Sequence, residues 1–82
     1  MEIWKFEVRV GENRIFMPSG ARVLTAQIHR GTLCVWALVD PSQPVENVTF
    51  SVVATGHEFN PVGKTYVGTV QDGPLVWHVW FE

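Results

Sequence analysis

Residues 21–41 constrain the fold more than any other stretch. Ala21 to Arg30 runs out, Gly31-Thr32 turns, and Leu33-Cys34-Val35-Trp36-Ala37-Leu38-Val39 returns to Asp40-Pro41. In the outgoing arm Leu24, Ala26 and Ile28 alternate with Thr25, Gln27 and His29, the period-two pattern of a strand with one wet face, and Arg30-Gly31 supplies the hairpin turn. The return arm does not alternate. Seven consecutive residues from Leu33 carry no charge and are almost all apolar, so both faces of this strand require cover.

The remaining segments repeat the strand signature. Trp4, Phe6, Val8 and Val10 alternate with Lys5, Glu7 and Arg9, then Gly11-Glu12-Asn13 breaks the pattern and Arg14–Met17 forms a second short strand. Pro41-Ser42-Gln43-Pro44 lacks the ladder donors at both prolines and reads as a crossing loop. Asn47–Thr55 alternates with Val48, Phe50, Val52 and Ala54 inward, and Thr and Val favour strand over helix there. Gly56–Gly63 is the longest irregular stretch, Lys64–Gln71 another strand, Asp72-Gly73-Pro74 a turn, and Leu75–Phe81 a last strand with large apolar residues on both faces. Six to seven strands with turns about every ten residues, and no helical period, predict a single all-β domain over 1–82: a small antiparallel β-sandwich or barrel.

At 82 residues a lone core is only marginally sufficient, and a chain with 46% hydrophobic residues answers that need. Two strands, 33–39 and 75–81, offer a second apolar face that one core cannot cover, which predicts a homo-oligomer, a dimer or higher. The six Lys and Arg stand singly and the net charge is −2, so no basic stripe exists for general nucleic-acid binding. No apolar run is long enough for a membrane span or a secretory leader, which predicts a cytoplasmic protein. Cys34, the one cysteine, reads as a small buried hydrophobe.

Candidate chemistry is sparse. His29, His57, His78 and Glu58 fall in no ligand spacing, so no metal and no cofactor are expected. Ser19, Ser42 and Ser51 lack a nucleophile's setting, Gly63-Lys64-Thr65 lacks the upstream half of a phosphate loop, and Glu58 beside His57 is the one acid–base pair. Catalysis is therefore not expected. The aromatic and polar residues do suggest a binding site: His57, Glu58, Lys64, Tyr66, Trp36, Trp77 and His78, with Phe59 and Trp80 near the same rim. Such planes and hydrogen-bonders suit a flat heteroaromatic or a protein hot spot equally, while core filling accounts for at least half of the four Trp.

Trp36-Ala37-Leu38-Val39-Asp40-Pro41, Thr55-Gly56-His57, Tyr66-Val67-Gly68-Thr69 and Val76–Glu82 together resemble the pattern of a family of small uncharacterised proteins of tailed bacteriophages and prophages. The likeness spans nearly the whole chain, although Ala54 stands where many relatives carry Gly. It implies origin rather than mechanism. A non-enzymatic phage accessory protein in the host cytoplasm acts by binding, either inhibiting a host or antiviral-defence protein or sequestering a small nucleotide-like signal. The rival expectation is a structural or assembly accessory of the virion; a small enzyme comes third.

Overall fold

The computed structural model describes residues 1–82 and resolves the alternating stretches into seven strands: β1 (Glu2–Glu7), β2 (Gly11–Pro18), β3 (Arg22–His29), β4 (Thr32–Val39), β5 (Val45–Ala54), β6 (Thr65–Asp72) and β7 (Leu75–Phe81). All pairings are antiparallel. They form a three-stranded sheet in the order β1-β4-β3 and a four-stranded sheet in the order β2-β5-β7-β6, the two layers of a small β-sandwich. Edge strand β3 lies along edge strand β6 and closes one side.

The central hairpin forms because its turn residues accept the necessary backbone. Arg30 and Gly31 both take left-handed angles, φ 51° and 79°, as a two-residue turn of the primed type requires. In β4, Leu33, Val35, Ala37 and Val39 enter the core, while Cys34, Trp36 and Leu38 occupy the outer face. Cross-strand neighbours furnish much of the cover that this outer row needs: Trp36 stands opposite Lys5 and Thr25, Cys34 opposite Glu7 and Gln27, and His29 meets the Trp36 ring edge-on at 6.0 Å. Cys34 is sealed there, and burial pushes its thiol pKa up against a smaller lowering by Lys5.

The core is built largely of valine. Val8, Val35, Val39, Val52, Val70 and Val79 join Met17, Ala26, Leu33, Ala37 and Phe50, and each fully buried Val contributes about 1.5–3 kcal/mol relative to exposure. β-branched side chains suit the pleat, which is why such a core comes with strands. Phe50 and Phe81 oppose one another across β5 and β7 with ring centroids 5.8 Å apart.

Three local expectations fail. Strand β1 ends at Glu7, so Val8 turns into the core but Val10 is 59% exposed. Gly11-Glu12-Asn13 does not break the chain; it opens β2, because the Asn13 side chain accepts from the Arg9 N–H at 2.8 Å and donates to the Arg9 carbonyl at 2.7 Å, building the bend one step earlier. Leu24 leaves the inward row. A bulge between Val23 and Thr25 places Val23 opposite Ala37, and Leu24 is left 42% exposed.

The crossing from β4 to β5 is held by Asp40. Its carboxylate accepts from the Ser42 hydroxyl at 2.7 Å and the Ser42 N–H at 3.1 Å, and these bonds, the hydroxyl foremost, lower its pKa below the usual aspartate range. No helix is long and apolar enough to cross a membrane.

Candidate functional site

Register decides which side chains of the four-stranded sheet share its outer face. Directly opposed residues lie on one side of a pleat, so the chain of partners Glu12, Ser51, Trp80, Tyr66 forms one row across β2, β5, β7 and β6. Val53, His78 and Thr69 form the next. Trp77, Val79 and Phe81 point the other way, into the sandwich.

Across these rows runs a chain of hydrogen bonds. His78 Nε2 bonds Thr55 Oγ1 at 2.6 Å, His78 Nδ1 bonds Thr69 Oγ1 at 3.0 Å, and Thr69 Oγ1 in turn bonds the Tyr66 hydroxyl. The imidazole of β7 thus ties β6 to the turn that leaves β5, its ring fixed at both nitrogens. A second tie is aromatic. Trp80 is flanked by Tyr66 at 5.2 Å and by Phe59 at 5.3 Å between ring centroids, both tilted as the ring quadrupoles prefer.

Phe59 arrives there on the segment between β5 and β6, which two tight turns fold back over the sheet. In the first, the His57 N–H donates to the Ala54 carbonyl at 3.2 Å with Gly56 at φ 91°; in the second, the Lys64 N–H donates to the Pro61 carbonyl at 3.0 Å with Gly63 at φ 76°. Both glycines occupy the third turn position, where a positive φ excludes most side chains. Between them the Asn60 side chain accepts from the Val62 N–H at 3.1 Å. The Lys64 ammonium ends 3.4 Å from Glu82 and 5.8 Å from the Phe59 ring centre.

The folded-back segment leaves two open hollows. One, of about 350 Å³, is lined by Glu58, Phe59 and Asn60; the other, of about 320 Å³, runs between the segment and β2 and has Glu12, Ser51 and Lys64 among its walls. Both are shallow.

Of the residues proposed from sequence, Lys64, Tyr66 and His78 come together on this face, with Glu58 at its rim. His57 is solvent-exposed and contributes its backbone N–H to the turn. Trp36 lies on the outer face of the other sheet, and Trp77 packs on the core. Neither joins the face: Trp36 belongs to a strand of the other sheet, and Trp77 sits one position from His78 on β7, where successive side chains point to opposite sides. Thr55, Thr69, Ser51 and Glu12 also belong to the face; alternation along Asn47–Thr55 marks Ser51 and Thr55 as outward, and only cross-strand register brings the four together.

A family model described as Domain of unknown function (DUF7352) matches residues 1–82. No curated protein and no solved structure matches the chain.

Proposed function

This chain belongs to the DUF7352 family, and we propose that it is a small non-enzymatic binding protein of phage origin that docks a host or antiviral-defence protein on the outer face of β2-β5-β7-β6. The observation that carries the reading is the Phe59-Trp80-Tyr66 aromatic row, placed beside a His78 ring already fixed at both nitrogens. Rigid aromatics lose little conformational freedom on association and dominate protein hot spots.

Shape favours a protein over a nucleotide-like ligand. Small-molecule sites bury most of their ligand, whereas both hollows here are open. Charge agrees, since Lys64 is already paired with Glu82, and Glu12 and Glu58 would repel a phosphate.

The test is retention of partners from a host lysate on immobilised protein, identified by mass spectrometry and compared with Tyr66→Ala and Trp80→Ala. A partner held by the wild type should weaken by about 2 kcal/mol or more in Trp80→Ala. Retention indifferent to both substitutions would overturn the reading. So would stoichiometric copies in purified virions, which would favour an assembly role.

A further inference from the structure

We infer that the cleft between β2 and the segment joining β5 to β6 receives a basic side chain, most favourably an arginine, presented by the bound protein. This rests on the docking face proposed above and names the chemistry that it reads.

Three features of the cleft converge on a cation. The first is uncompensated charge. Glu12 and Glu58 both line the cleft and neither has an ion-pair partner, because the single salt bridge of the protein joins Lys64 to Glu82. Lys64 is also directed over the Phe59 ring. The one cation at the cleft is therefore already matched, and two carboxylates face it unopposed.

The second feature is Ser51. It is only 7% exposed, yet its hydroxyl bonds to no other group of the chain. No polar side-chain atom is sealed in the protein without a partner, so the free hydroxyl opens into the cleft, on the floor between Glu12 and Trp80 in the same cross-strand row. A hydroxyl with no partner in the chain, reached only through the cleft, is a place for a ligand's donor. It can accept from a guanidinium or ammonium N–H while the carboxylates carry the charge.

The third feature is Phe59, whose ring walls the cleft beside the two carboxylates and already takes the Lys64 ammonium at 5.8 Å, so an incoming cation shares this wall with Lys64. A ring quadrupole attracts cations, and a guanidinium stacks flat where an ammonium only points. Two carboxylates, a hydroxyl and a ring suit an organic cation. A metal ion is not matched, as no three His, Cys, Asp or Glu side chains come together.

The experiment uses the full chain, ¹⁵N-labelled, and two probes: acetyl-arginine methylamide and its neutral isostere, acetyl-citrulline methylamide. The arginine probe should give saturable shifts at Glu12, Ser51, Glu58 and Asn60, and the citrulline probe should not. Glu12→Gln and Glu58→Gln, both at exposed positions and checked for an unchanged melting temperature, should each weaken the arginine probe about two- to fivefold, and added salt should weaken it further. Equal response to both probes, no saturable response, or indifference to both substitutions would each overturn the inference. An array of random-sequence peptides separates it from its parent reading. Peptides that need Tyr66 but show no basic residue and no loss in Glu58→Gln would overturn the cation alone; dependence on neither Tyr66 nor Glu58 would overturn both.

Discussion

Thr55 and His78 stand 23 residues apart in sequence, yet their side chains meet at 2.6 Å where the turn after β5 passes β7. The same imidazole bonds Thr69 of β6, so one ring pins the interior strand β7 to edge strand β6 and to the turn that leaves β5. His78→Ala should remove both bonds at about 1 kcal/mol each, on the usual net value of a hydrogen bond. For a domain of this size that lowers the melting temperature by several degrees per kcal/mol. Thermal melts of His78→Ala, of Thr55→Val/Thr69→Val and of all three substitutions together check it: losses that sum in the combined variant rather than overlap would show that the chain of bonds does not act as a unit.

Gly56 turns the segment that carries Phe59 onto the sheet. Nothing lies within 4 Å of a methyl group added there, so Gly56→Ala tests backbone strain alone at φ 91°. The substitution should cost about 1–2 kcal/mol. Near-ultraviolet circular dichroism should also change as the Phe59–Trp80 contact loosens. An unaltered spectrum would mean that the turn does not seat Phe59.

Cys34 should resist alkylation in the native protein and react at once when unfolded, because its thiol is buried and its pKa raised. The pH effect has a definite sign. A raised native pKa means that the unfolded chain releases the thiol proton first, so the associated stability is intact at neutral pH and declines above about pH 8.5. Denaturant melts of the wild type and Cys34→Ala should diverge from their neutral-pH difference only in that alkaline range. Divergence at acid pH would point to another group.

Asp40 should titrate below ordinary aspartates in NMR, and Ser42→Ala should move it back up, since the Ser42 hydroxyl is the leading cause of the shift. Here the native pKa is depressed. The turn's contribution is therefore present above the unfolded pKa and disappears as pH falls through the native one. No movement in Ser42→Ala would assign the shift to the backbone bond instead.

The outer row of β4 supports a prediction about assembly. Ile3, opposite Leu38 in register, is 61% exposed, and with Leu38 and Trp36 it makes an apolar patch on the three-stranded sheet. We expect a two-fold dimer through this patch, dissociated by Leu38→Glu. Light scattering that gives 9.3 kDa for the wild type would overturn it.

The strands and the central hairpin were legible because alternation and turn residues act locally. Leu24 was not. A bulge is a mismatch between two strands, and neither strand's sequence marks it. Within β7, parity alone separates Trp77 from His78 and Trp80, a signal open to sequence reading once the strand is granted. Trp36 is not separable from those residues by sequence, because nothing local tells which of two sheets a strand joins. Glu12 and Ser51 meet only through the β2–β5 register, a relationship between segments nearly forty residues apart.

Strand β7 is last in chain order but interior in its sheet, between β5 and β6. During synthesis, at roughly 5–20 residues per second, β5 and β6 emerge before the strand that each must pair with. Until Leu75–Phe81 follows, both present unpaired edges, and neither His78 nor Trp80 exists to gather the face around it. The four-stranded layer is thus assembled after translation of its last element rather than alongside it. A nascent chain stalled before Leu75 should be protease-sensitive and dependent on whatever in the cell shields an open β edge.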